Sequence, residues 1–286
     1  MNINTNLLKF KKKHKNKKNQ ILFLKADCPN NKTIENIIDN FLFKKNSFIF
    51  ESVEKRRIRG RYTIIGADPD KIWEFNKKKI YLIENNVKRI IKASPYKYLK
   101  NLIENFNFPL PKNLPPLCSL LVGYFSYDII RYIEKVPDNC VDDLNIPDIR
   151  LLRPKTIIIH DNLTKKIYFI SNCFADEKIK NYEKYYLKQL QNIHLLKNLT
   201  FNTGSKRTYK KNYSKKNIVK SNISKKKFKQ IVLKAKKYIK KGDNFQVVLS
   251  QRFESKLTKS PLEIYKKLRI NNPSPFMFFL ILMTFK

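Results

Sequence analysis

Residues 47–53 alternate apolar and polar, and 61–66, 71–75 and 79–83 follow as further short β-like runs. A period of two turns successive side chains to opposite faces, so these stretches predict short strands. Ala67-Asp68-Pro69-Asp70 predicts a turn from its residue types. Residues 155–160 and 166–171 flank Asp161-Asn162-Leu163-Thr164, which predicts a hairpin. Pro115-Pro116 introduces an apolar strand over 117–125 that runs into a helix near 127–134. The spacing changes to that of a helix over 96–106 and 176–196. Further on, Phe228, Ile231, Val232, Ala235, Tyr238 and Ile239 form one helical face. Ser224 suits the N-cap of that helix and Gly242 its left-handed C-terminus. Residues 244–254 alternate again as a strand. Ser260-Pro261 opens another helix reaching about Arg269, and a last strand begins near Phe276.

The pattern divides the chain into a polar, lysine-rich arm (1–20), a first region of strands and helices (21–197), a weakly patterned linker (198–222) and a second α/β stretch (223–286). The fold class is α+β. No internal repeat, Gly-rich phosphate loop, Ser-His-Asp set or metal-spaced carboxylate cluster is visible.

Hydrophobic residues make up 42% of the 286 and aromatics 13%, which supports a core and excludes a wholly disordered chain. The net charge of +38 changes the picture less than its size suggests. A strongly basic chain points to a polyanionic partner. Here the lysines are spread along the whole length, and Asn, Ile and Phe are abundant while Gly is scarce. All of those residues have AT-rich codons, so nucleotide bias accounts for the lysines. Tyr209 and Tyr213 among the linker lysines could stack on bases, yet a solvated linker explains them as well, and no nucleic-acid partner is assigned. Cys28, Cys118, Cys140 and Cys173 are scattered without a CxxC pair, which argues against a zinc ribbon and for reduced thiols. His14, His160 and His194 are isolated. The longest apolar run, 276–285, falls short of the roughly 20 residues of a membrane helix. The expectation is a cytoplasmic chain with no membrane segment.

Five ordered motifs carry a resemblance. They are Phe50-Glu51-Ser52-Val53-Glu54 with Arg59-Gly60-Arg61-Tyr62-Thr63-Ile64-Ile65-Gly66; Val122-Gly123-Tyr124-Phe125-Ser126-Tyr127-Asp128 with Arg131-Tyr132-Ile133-Glu134; Leu144-Asn145-Ile146-Pro147-Asp148; the stretch from Lys241-Gly242-Asp243-Asn244 through Phe245-Gln246-Val247-Val248-Leu249-Ser250-Gln251-Arg252-Phe253; and Asn272-Pro273-Ser274-Pro275-Phe276-Met277-Phe278-Phe279. Together they resemble the large subunit (component I) of anthranilate synthase, a chorismate-utilising enzyme.

That resemblance implies an antiparallel two-sheet sandwich with outer helices, whose second, chorismate-binding part is incomplete here. It implies conversion of chorismate and ammonia to anthranilate and pyruvate in tryptophan biosynthesis. It further implies Mg2+ as cofactor, a glutamine amidotransferase subunit (component II) as partner and L-tryptophan as feedback inhibitor. The tryptophan site is expected on Ser52 and on Pro275, Phe276 and Met277. A serine hydroxyl suits the amino-acid head group, and an apolar wall suits indole. Family members usually carry tyrosine where Phe276 stands. Glu51 either orients the ligand's ammonium group or sits in a surface strand. Gln246 lies on the expected active-site strand, where the water-using isochorismate and salicylate synthases resemble one another in having lysine. A glutamine amide cannot serve as the base that activates water, which fits an ammonia user.

The family's magnesium-binding glutamates, its Gly-Thr loop and its carboxylate-gripping arginine have no counterpart in this chain. No catalytic or metal-ligating residue is therefore assigned, and the expectation is a truncated, inactive chain. Residues 281–286 depart from the family's acidic continuation. Loss of one base in an AT-rich coding sequence accounts for all six and assigns them to no element, membrane anchor or site. Two other readings stay open: a fragment of aminodeoxychorismate synthase component I, and a basic nucleic-acid-binding protein on a relict scaffold.

Overall fold

A computed structural model describes residues 5–28, 32–42, 44–51, 60–106, 108, 110–111, 113–139, 141–201 and 218–282. The chain divides into two compact units, Met1–Arg207 with Asn271–Lys286, and Thr208–Ile270.

The first unit is built on a nine-stranded, wholly antiparallel sheet. Its strands are β1 (Gln20–Asp27), β2 (Ser47–Glu51), β3 (Tyr62–Asn76), β4 (Lys79–Glu84), β5 (Val87–Ile91), β6 (Val122–Phe125), β7 (Ile149–Asp161), β8 (Lys166–Cys173) and β11 (Met277–Ile281). The main path runs β1-β8-β7-β3-β2-β11. The long strands β3 and β7 also serve a second group. Their other ends carry β4, β5 and β6, through pairs such as Phe75 with Ile80 and Leu152 with Val122. Two apolar clusters follow from this division. One gathers Ile21, Phe48, Ile64, Ile157, Ile159 and Ile170; the other gathers Trp73, Phe75, Ile80, Leu82, Ile149 and Leu151.

The turn expected at 67–70 is absent. Residues 62–76 form one strand with a register shift between Pro69 and Lys71. Pro69 stands opposite Pro154, and neither ring nitrogen carries a hydrogen to donate, so the ladder is interrupted there without leaving an orphan donor. The breakers bend a strand here instead of ending it. The expected strand over 117–125 shortens to Val122–Phe125, since Leu117 takes a positive φ of 66°, and the following helix is a short 3-10 segment, Tyr127–Tyr132.

The N-terminal stretch read as a loose arm holds helix α1 (Leu7–Lys15). Asn6 caps it by accepting from the Lys9 amide, and Phe10 and His14, one turn apart, are buried. They meet α4 (Tyr182–Phe201): the Phe10 ring stacks on Tyr185, and His14 Nδ1 lies 3.1 Å from the Tyr182 hydroxyl. The lysines between them hid a two-residue apolar stripe. The expected hairpin at 161–164 forms between β7 and β8. The expected helices appear as α3 (Pro95–Glu104) and α4, and α2 (Lys32–Phe41) adds Ile34, Ile37 and Ile38 to the buried set.

The second unit contains β9 (Lys220–Ser221), α5 (Lys225–Lys241), β10 (Phe253–Glu254) and α6 (Pro261–Asn271). Ser224 Oγ accepts from the Lys227 amide, and Gly242 closes α5 with φ 78°. At α6, the Ser260 amide donates to Glu263 and the Glu263 amide donates back to Ser260 Oγ, a capping box. The strand expected over 244–254 narrows to Phe253–Glu254, paired with Ser221 and Lys220. A strand needs a neighbour for its backbone, and among the described residues of this unit 244–250 belong to no ladder.

Candidate functional site

The end of β2 and the start of β11 place two of the sequence motifs side by side. Met277 stands opposite Glu51, Phe278 opposite Phe50, and Leu280 opposite Phe48. β2 continues inward, with Phe50 paired to Ile64 of β3 and Ile64 to Ile159 of β7. The ladder is anchored by Phe48, which is fully buried and packs on the Phe50 ring at 5.1 Å. Gly66 makes room for that anchor: a Cβ there would lie 2.4 Å from the Phe48 ring.

At this junction Glu51 is only 5% exposed, which disposes of its surface-strand reading, while Phe276 is 84% exposed beside a half-buried Pro275 and Met277. A buried carboxylate thus neighbours an open apolar segment at the sheet edge. Ser52 lies outside the described residues. Gln246, in the second unit, is exposed and in no strand. Ile281, assigned to no element by the shifted-frame reading, closes β11 opposite Ser47. Sequence reasoning did not commit to Glu51; its place in a conspicuous motif was visible, but its burial depends on pairing with residues far along the chain.

Farther along the same sheet, Arg61 clasps Asp161 through Nε–Oδ1 and Nη2–Oδ2 contacts of 3.0 and 2.7 Å. Burial alone would raise the Asp161 carboxyl; the bonds from Arg61 and from the Leu163 and Thr164 amides outweigh it and hold it at about 2. At the β3–β7 irregularity, Arg153 donates to Asp70 and Asp176 and lies 3.9 Å from the Phe174 ring centroid. Arg153 also lines a cleft of about 590 Å3 with Lys17, Lys18, Asn105 and Asp176, and its guanidinium is already satisfied by those carboxylates.

Burial pushes the Cys118 and Cys173 thiols up to about 12, so neither is a thiolate at neutral pH. Among the described residues no group of three His, Cys, Asp or Glu side chains is arranged to hold a metal. Among the same residues no helix is long and apolar enough to cross a membrane.

The fold and this junction define a mixed α/β protein with a large antiparallel sheet. The model of the chorismate binding enzyme family matches residues 45–286, and the chain belongs to that family. It is 36% identical to anthranilate synthase component 1 of Acetivibrio thermocellus over 82% of this chain and 48% of that protein. It is 28% identical to the protein of the same name from Cereibacter sphaeroides, over 96% of this chain and 56% of the relative. The crystal structure of anthranilate synthase component I from Streptococcus pneumoniae TIGR4 shares the fold, with a TM-score of 0.60 at 24% identity over 76% of this chain and 47% of that one. The chain spans about half the length of the curated relatives it matches.

Proposed function

We propose that this chain is the scaffold and tryptophan-responsive half of an anthranilate synthase large subunit. The observation that carries the reading is the 36% identity with a relative of that name across 82% of the chain. In the reaction, ammonia delivered by a glutamine amidotransferase subunit adds to chorismate, and pyruvate leaves to give anthranilate. The chain contributes Gln246, whose amide leaves water unactivated. The residues that hold chorismate and magnesium belong to the portion of the relatives this chain does not match, and no step is assigned to residues here.

L-tryptophan is the regulatory ligand, seated where β2 meets β11. Glu51 receives its ammonium group, Ser52 hydrogen-bonds the head group, and Pro275, Phe276 and Met277 pack on the indole. The pairing of Met277 with Glu51 and the burial of Glu51 support that placement.

The test joins this chain to the unmatched half of the A. thermocellus relative in one polypeptide and follows anthranilate fluorescence with chorismate and ammonium. Anthranilate formation, lowered by Gln246→Lys, is expected. A folded chimera that makes a different chorismate product would overturn the reading.

A further inference from the structure

The cleft beside Arg153 lies towards the β1–β8 end of the sheet, away from the β2–β11 edge. Lys17, Lys18 and Asn19, which lead from α1 into β1, line it together with Phe174, Ala175 and Asp176, which follow β8. The Ala175 amide donates to Asn19 Oδ1 at 2.8 Å and ties these two segments together. Asn105 and Phe106, just past α3, complete the lining. A volume of about 590 Å3 is that of a small-molecule site.

Arg153 is a fixed part of this lining and not its anion receptor. Asp70 and Asp176 engage four of its five N–H donors, and the buried Phe174 ring covers one face at 3.9 Å. Lys71 also answers Asp176, so Arg153 and Lys71 balance Asp70 and Asp176, and Lys155 answers Glu177. Lys17 and Lys18 stand outside that balance. Among the described residues neither ammonium group has a carboxylate partner. Neither is spent on the end of α1, where the Asn16, Lys17 and Lys18 backbone amides donate to the last carbonyls. The cleft therefore combines two unanswered positive charges with the rings of Phe106 and Phe174. A high lysine content raises the field over the whole surface; it does not place two free ammonium groups beside a sealed arginine and two rings.

We infer that this cleft is a binding site for a small dianion with a planar ring, a phosphate monoester or a dicarboxylate, whose charged group meets Lys17 and Lys18 and whose ring packs against Phe106 and Phe174. A phosphate monoester carries close to two negative charges at neutral pH, which matches the two ammonium groups. Lysine suits such a ligand as a mobile point charge. The cleft shares no residue with the β2–β11 junction, so failure of tryptophan binding leaves it untouched.

Isothermal titration calorimetry of phenyl phosphate, phthalate and inorganic phosphate into the full chain, its cooperative thermal transition verified first, tests the site. Saturable binding of phenyl phosphate or phthalate is expected, and the tighter of the two tells a phosphate ligand from a dicarboxylate. Lys17→Gln combined with Lys18→Gln should weaken that binding at least about tenfold, the scale of one lost charged hydrogen bond. Phe106→Ala should weaken the ringed probe and leave inorganic phosphate unchanged. Lys12→Gln combined with Lys13→Gln removes the same charge from exposed positions of α1 outside the cleft, and should leave binding unchanged. All four lysines are exposed, so both pairs of substitutions should keep the thermal transition of the parent.

An equal loss in the two lysine pairs would mean attraction to the basic surface at large, and overturns the proposal. So does a folded chain that shows no saturable binding of either ringed probe, or one that binds inorganic phosphate as tightly as both.

Discussion

Met277 stands directly opposite Glu51 on neighbouring antiparallel strands, so the last motif of the chain completes the edge begun by the first. Between them in the chain lie six of the nine strands, β3 to β8, and the second unit. A site at this junction is therefore sensitive to the sheet beneath it, and several predictions concern that support.

Phe48 and Gly66 should behave as a coupled pair. Phe48→Ala empties a fully buried position, at a cost of about 3–5 kcal/mol. Gly66→Ala drives a methyl group into the Phe48 ring and should cost about 1–3 kcal/mol. In the double variant Phe48→Ala/Gly66→Ala the smaller side chain relieves the clash, so urea denaturation should show a loss smaller than the sum of the single changes. Additive losses would mean that the two residues do not share this space.

Glu74 and Arg150 form an ion pair whose side chains are each 2% exposed. Lys88 Nζ also reaches Glu74, at 2.6 Å, and Arg150 donates to Asn46. Burial lowers the Arg150 guanidinium to about 10. Arg150→Leu leaves a carboxylate that only a half-exposed lysine answers, so it should destabilise the first unit by about 3–5 kcal/mol. Adding Glu74→Leu should recover part of that loss, since no buried charge then remains. A double variant less stable than either single one would contradict the pairing.

Gly123 of β6 has no room for a side chain. A Cβ there would fall 1.7 Å from the Arg150 carbonyl oxygen of β7. Gly123→Ala should therefore break the β6–β7 ladder, and exchange of the 122–125 amides should rise while the β7–β8 amides stay protected. Unchanged protection over 122–125 would refute this.

Acid stability should follow two carboxylates. Burial raises Asp161 and Asp176, but the first is pulled down to about 2 by Arg61 and the second to about 2 by Arg153 and Lys71, from an ordinary value of 3.8. A carboxyl depressed in the folded state stabilises it above the ordinary value, and that stabilisation is lost as pH falls through the depressed one. The loss should therefore lie between about pH 4 and pH 2, and Asp161→Asn should flatten the stability profile in that window. An unchanged slope in that variant would remove Asp161 from the account.

Much of the fold was legible in local chemistry. The Ser224 and Gly242 caps, the Ser260–Glu263 box and the hairpin at Asp161–Thr164 are decided by a few neighbouring residues, and the structure shows each of them. What escaped depends on distant partners. Pro69 reads as a turn former until Pro154 is placed across from it, and Phe10 and His14 read as part of a solvated arm until α4 supplies their aromatic neighbours. The strand pattern at 244–254 was sound as a pattern, yet a ladder also needs a second backbone. For the candidate site, the segments were legible as motifs, and their adjacency through β2 and β11 was not.

The central claim is that the junction of β2 and β11 binds tryptophan. Isothermal titration calorimetry of L-tryptophan into the purified chain, its cooperative thermal transition verified first, tests it most directly. The account predicts binding that weakens at least about fivefold in Ser52→Ala, the loss of one hydrogen bond worth about 1 kcal/mol, and weakens further in Met277→Lys. A folded chain that binds no tryptophan, or binds it with an affinity indifferent to both substitutions, would contradict the account.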